Sequence, residues 1–171
     1  MEFLKQYFVK KQIQTNLNRL KVYRPSVRSG VLQKVGCIID MDIISNVEPL
    51  VQLVESFGLR PESIVFLGYR KQSNDTHIDG IPFLVDKDIS WKGKIRNYHA
   101  DRLAEQEYDM LINYFDQPKL PLLLLSSSVR AKLRVGVEGI DNQYNDIIVQ
   151  CPLKDEITFA NELKKILQTL K

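Results

Sequence analysis

Apolar residues along this chain fall into two kinds of run, and the runs alternate. VGCIID at 35–40, SIVFLGY at 63–69 and YDMLINYF at 108–115 are short and nearly continuously apolar. Such runs are expected of strands buried on both faces of a sheet. Between the first two lies SNVEPLVQLVESFGL, in which Val47, Leu50, Val51 and Val54 recur at helical spacing. Ser45 with Glu48 three residues on predicts an N-cap and capping box, and Gly58 suits the C-terminal cap. Strand, helix and strand in that order make a βαβ unit.

Residues 70–98 are less regular: a polar loop over 70–80, a short strand over 81–86 and an exposed connection beyond it. The pattern then predicts helices over 99–107 and 118–130, the second with Pro118 and Pro121 in its first turn. Strands are predicted over 131–138 and 145–151. Lys132, Arg134 and Gly136 alternate in the first of these, which predicts one more exposed face. About seven residues separate these two strands, too few for a helical crossover, which leaves an antiparallel pair or an unusually short connection. Asp155 or Thr158 caps a closing helix with Phe159, Leu163, Ile166, Leu167 and Leu170 on one face. At the other end, residues 2–22 read as a helix with Leu4, Phe8, Ile13, Leu17 and Leu20 near one stripe, and Pro25 and Gly30 mark a linker.

These elements predict an α/β fold: a three-layer Rossmann-like sandwich with a mainly parallel sheet, preceded by a basic N-terminal helix. Runs 35–40, 63–68 and 109–114 are expected side by side at its centre. The chain divides into a basic amphipathic helix and linker, residues 1–34, and a Rossmann-like domain, residues 35–171.

Charge sharpens that division. Residues 1–34 carry eight Lys/Arg against the single acid Glu2, a net +7, while the other 16 bases and 20 acids leave −4 on residues 35–171. A basic helix on a mildly acidic body points to an anionic partner: an unknown protein, RNA or an anionic membrane surface. Lys5, Lys10, Lys11, Arg19, Lys21, Arg24 and Arg28 are the residues expected to bind it.

Several chemistries find little support. Cys37 and Cys151 fall in predicted buried strands and read as core thiols, without metal-type spacing. No secretory signal is read at the N-terminus, and the longest greasy patch, LPLLLL at 120–125, is too short to span a membrane. The expected location is the cytoplasm, with peripheral membrane attachment as the variant the basic helix allows. No glycine-rich phosphate loop occurs, and the turn DMDIIS after the first strand has no glycine. His77 and His99 read as surface residues, and Trp91 as a side chain pinning a loop. No catalytic residue, metal or cofactor is assigned. In such folds ligands bind beyond the carboxyl ends of the strands. There Asp40, Asp42, Tyr69, Asn113 and Tyr114 offer carboxylate, phenol and amide groups suited to a small polar ligand such as a sugar.

Three resemblances bear on function. The basic helix, the strand ending IID, YDMLINYF, AKLRVGVEG and the closing F-x-x-E-L-K-K-I-L together resemble an uncharacterised conserved family of Bacteroidetes proteins, a domain of unknown function. Residues 108–139 are similar to the acceptor-side domain of heptosyltransferase-like GT-B glycosyltransferases. That likeness implies a degenerate acceptor domain without its sugar-nucleotide half. IIDMDII followed by SNVEPL resembles the opening motif of the haloacid-dehalogenase superfamily. It implies Asp40 as nucleophile, Asp42 as general acid/base and a bridging magnesium, with Ser126 or Ser127, Lys132, Asp141 and Asp146 fitted to the later motifs. Ile43 and Ile44 stand where that family has Gly and then Thr or Val. The expected function is a non-catalytic binding or interaction module. The alternatives are a magnesium-dependent phosphohydrolase and a degenerate glycosyltransferase-like domain.

Overall fold

A computed structural model describes residues 2–23, 32–71, 78 and 80–169. Its strands are β1 (Val35–Asp40), β2 (Ile64–Tyr69), β3 (Phe83–Leu84), β4 (Glu107–Tyr114), β5 (Arg130–Val137) and β6 (Ile147–Val149). Its helices are α1 (Glu2–Val22), α2 (Glu48–Glu55), α3 (Tyr98–Glu105), α4 (Leu120–Ser127) and α5 (Glu156–Thr169), with short 3₁₀ turns at Pro61–Ser63 and Asp86–Asp88. The sheet runs β3-β2-β1-β4-β5-β6, and every pair in it is parallel. This is the expected Rossmann-like sandwich, with the three most apolar runs adjacent at its centre.

The last two strands resolve as a parallel pair with a short connection. β6 meets only the end of β5, Val135 to Val137 against Ile147 to Val149. The chain therefore has to climb back only about 10 Å at 3.3 Å per residue, and no helix is needed. The Asp141 carboxylate accepts the Gln143 N–H at 2.9 Å and so shapes that turn.

On one face Ile38, Leu67 and Leu111 are covered by Val9, Ile13 and Leu17 of α1, Leu103 of α3 and Leu122 and Leu124 of α4. On the other, Cys37, Ile39, Ile112 and Val135 meet Leu50 and Leu53 of α2 and Phe159 and Leu163 of α5. Helix α1 is thus a layer of the fold as well as a charged segment. Its inner stripe is Val9, Ile13 and Leu17, with Leu20 packed beside it; Leu4, assigned to that stripe by spacing, is 51% exposed. Contacts give its direction. Lys5 Nζ donates to the Asp86 carbonyl beyond β3, and Asn16 Nδ2 donates to Ser127 Oγ at the far end of α4. Helix α1 therefore runs from the carboxyl to the amino edge of the sheet. Gly93 shows how closely it docks: a Cβ there would come within 2.7 Å of the Phe8 carbonyl oxygen.

Local chemistry moved some boundaries. Ser45 forms no capping box: α2 starts at Glu48 behind Val47, and the Asn46 side chain accepts the Glu48 N–H. The Ile43 and Ile44 N–H groups both bond the Asp40 carbonyl, so the chain makes a separate turn before the helix begins. Asp155 caps α5, accepting from both the N–H and the hydroxyl of Thr158. Along β5 the expected exposed face is not formed. Lys132 is exposed, but Arg134 and Gly136 are buried. The Arg134 guanidinium instead ties the C-terminal end of α4 to the β5–β6 turn, donating to the carbonyls of Ser126, Val129 and Tyr144 and to Ser126 Oγ at 2.6–2.7 Å.

Candidate functional site

Strand order reverses between β1 and β4, so the carboxyl end of β1 opens on the crevice where ligands bind in this architecture. Asp40 ends β1 there and is fully buried between its neighbours. One carboxylate oxygen accepts the Asp42 N–H at 3.1 Å. The other lies 2.8 Å from the Nζ of Lys119, which also stands 3.4 Å from Asp42. Lys119 is the N-cap residue of α4, with Pro121 in the first turn behind it. Asp42 further accepts the Lys71 N–H at 3.2 Å. Burial alone would lower the Lys119 ammonium, but the Asp40 hydrogen bond and the charges of Asp40 and Asp42 hold it above its ordinary value.

The ammonium therefore bridges the two carboxylates and neutralises the buried one. Among the described residues, no group of three or more His, Cys, Asp or Glu is placed to hold a metal ion. The chain supplies its own cation between Asp40 and Asp42.

Tyr69 pairs with Asp40 across β1 and β2, and its hydroxyl donates to Asp86 at 2.5 Å. Burial, then the bond to Asp86 and the charges of Asp86, Asp42 and Asp40, push its phenol far up, so it stays protonated. Asp40, Asp42 and Tyr69 thus form one electrostatic cluster. Asn113 and Tyr114 point elsewhere. The Asn113 amide donates to Asn145 at 2.8 Å, and the Tyr114 hydroxyl, on the opposite face of the sheet, donates to the Leu153 carbonyl beside Phe159. Both side chains are completely buried, with these groups bonded internally.

Of the residues fitted to later phosphotransferase motifs, Lys132, Ser126 and Ser127 are bonded away from Asp40. Lys132 pairs with Asp109 at 3.2 Å near the amino ends of β4 and β5. Ser126 and Ser127 lie in the last turn of α4, bonded to Arg134 and to the Leu124 carbonyl. Lys119, the residue that does reach Asp40, carries no local signal beyond being a lone base ahead of an apolar helix.

The basic face lies on the outer side of α1. Lys10, Lys11, Arg19 and Lys21 are exposed, and Lys5 is half-buried against Asp86. None of the four exposed bases enters an ion pair among the described residues. Arg24, Arg28 and His77 lie outside the described residues. His99 is exposed at the start of α3. Trp91 is 55% exposed and meets the Phe8 ring edge-on at 5.8 Å, holding its loop against α1. No described helix is long and apolar enough to cross a membrane.

Replacing Lys119 with methionine is expected to cost about 2 kcal/mol. That is below the roughly 3–5 of a fully buried pair, because Lys119 keeps 27% exposure. The sign of the pH dependence follows from a base raised in the folded state. Its contribution is complete below the ordinary lysine value near 10.5 and is lost as pH rises through the higher folded value. On the alkaline side, denaturation midpoints of the two proteins should converge only above that pH; a gap that closes near neutrality contradicts the bridge.

No curated protein and no solved structure matches the chain. The model of a family of unknown function, DUF6913, matches residues 5–170, which takes in most of α1, the whole sheet and all of α5. The chain belongs to that family of unknown function.

Proposed function

We propose that this chain is a non-catalytic binding module that engages an anionic partner through the outer face of α1. One observation carries the reading. Docking α1 buries its apolar stripe yet leaves Lys10, Lys11, Arg19 and Lys21 exposed and without ion pairs among the described residues, although the body carries −4. Were the positive charge there to hold the helix on its own acidic body, these side chains would meet body carboxylates.

Reversing the four charges together (K10E, K11E, R19E, K21E) should leave the fold intact, since exposed substitutions usually change stability by about 0.5 kcal/mol or less. Retention of the full chain on heparin, used as a model polyanion, should be lost. Wild-type affinity should fall roughly a hundredfold between about 0.05 and 0.2 M salt, the scale expected for four contacts to a polyanion. Salt-insensitive retention, or retention unchanged in the reversed variant, would overturn the proposal.

The phosphohydrolase alternative draws on Asp40 and Asp42 at the switch point; Lys119 lying between them weighs against it. Phosphate-monoester turnover with magnesium that is abolished by Asp40→Asn would show the module to be catalytic.

A further inference from the structure

The outer surface of α1 changes character along its length. In its first two turns Phe3, Leu4 and Tyr7 are 80%, 51% and 54% exposed. Lys10 and Lys11 follow at helical spacing on the same side. Beside this tip stands the 90–94 loop, with Trp91 exposed and Lys92 and Lys94 exposed on either side of Gly93. Phe8 joins the two segments, its ring 5.3 Å from Tyr7 and 5.8 Å from Trp91. Lys92 Nζ lies 5.5 Å from the centre of the Trp91 ring. Apolar rings and ammonium groups from two separate parts of the chain therefore share one corner. Glu2 is the only acid of α1. The carboxylates of Asp86 and Asp88, beside the Lys5 contact, are engaged by Tyr69 and by Val85 and Asn97.

We propose that this corner docks on the surface of an anionic lipid bilayer. Phe3, Leu4, Tyr7 and Trp91 enter the boundary between headgroups and acyl chains, and Lys10, Lys11, Lys92 and Lys94 lie over acidic headgroups. The inference rests on the anionic-partner reading and names the partner. Trp and Tyr suit that boundary because one part of the ring system is apolar and the other bonds water or headgroups. An apolar tip bordered by bases is the pattern of interfacial helices. A polyanion such as RNA would use the bases and could stack on the rings, but it offers Leu4 nothing. The acyl boundary does.

Trp91 is the only tryptophan, so emission excited selectively at tryptophan, away from the seven tyrosines, reports this corner alone. On vesicles of phosphatidylcholine with phosphatidylserine its emission should shift to the blue and be quenched by brominated acyl chains. Phosphatidylcholine alone should produce neither change. Phe3→Ser, Leu4→Ser and Tyr7→Ser together should weaken vesicle binding about tenfold or more, while leaving retention on heparin as it was.

If Trp91 emission is unchanged on serine-lipid vesicles, or the serine variant binds them as tightly as wild type, the inference is overturned. Heparin retention that persists with its salt dependence would then leave the anionic-partner reading standing. Binding to single-stranded RNA without binding to vesicles would replace the lipid by nucleic acid. Failure on heparin, RNA and vesicles alike would remove both readings.

Discussion

Truncating Ile13 and Leu17 together to alanine should destabilise the protein by about 5 kcal/mol. Both are buried, at 5% and 4% exposure, within the cluster that covers Ile38 and Leu111 at the centre of the sheet. A single large-to-small change in such a site costs roughly 2–5 kcal/mol, because the cavity left behind only partly collapses. The two residues share neighbours, so their effects should not add simply. Even so, the loss is a large share of the roughly 5–15 kcal/mol that holds a typical domain together. Lys10→Ala with Lys11→Ala, on the same helix but exposed, should shift the urea midpoint hardly at all. If α1 were an appended arm, the core pair would be equally silent, since the body would unfold as before. The contrast between the two double variants separates a layer from an arm.

A second large effect is expected at Arg134. Replacing it with methionine keeps much of the volume but removes four charged-donor bonds, to the carbonyls of Ser126, Val129 and Tyr144 and to the Ser126 hydroxyl. The Ser126 and Tyr144 carbonyls keep only the longer bonds from the Val129 N–H and the Asn113 amide. Bonds to a charged donor are worth about 1.5–3 kcal/mol each, and stranded buried acceptors also bear their desolvation cost. The effects overlap, and a net loss of about 3–5 kcal/mol is expected, near 10 °C in Tm for a chain of this size. Burial lowers the guanidinium to about 10, against the opposing influence of Asp146 and Tyr144, so it is still charged at neutral pH. Two of the carbonyls it meets, Ser126 and Val129, lie at the C-terminal end of α4, where a cation also suits the helix dipole. Arg134→Lys should fall between wild type and methionine, because an ammonium has three donors and no planar fork. Lys132→Met, two residues away but exposed, should cost less than about 1 kcal/mol. A methionine variant within that same margin would mean the buried guanidinium stabilises nothing.

The fold was readable where burial dictates composition. β1, β2 and β4 are buried at the centre of a parallel sheet, and that demands continuous apolar runs which no surface element imitates. Arg134 and Lys132 look alike in the sequence. What separates them is a set of backbone carbonyls brought together by α4 and the β5–β6 turn, and carbonyls have no sequence signature. The α2 start was misplaced for a similar reason: the Asp40 carbonyl captures the next residues first, and Ser45 never reaches the helix.

At the candidate site, Asp40 and Asp42 stood out because they follow an apolar run. Lys119 did not, because the contact joins the end of β1 to the N-cap of α4 across 79 positions of chain. Asn113 and Tyr114 share the strand end with the other candidates, but strand alternation and the β5–β6 turn give the Asn113 Nδ2 and the Tyr114 hydroxyl internal partners. The charge on α1 was plain from composition. That Lys10, Lys11, Arg19 and Lys21 enter no ion pair among the described residues once the helix is docked could be learned only from the fold.

The central claim is that α1 belongs to the core while offering its charged face outward. Hydrogen exchange of the full chain tests it most directly, because core amides open only with global unfolding whereas an appended helix frays independently. Amides of residues 9–17 should exchange as slowly as those of β1 and β4, at low and at high salt, since apolar burial is not screened. Fast exchange across residues 9–17 while the sheet stays protected would contradict the account.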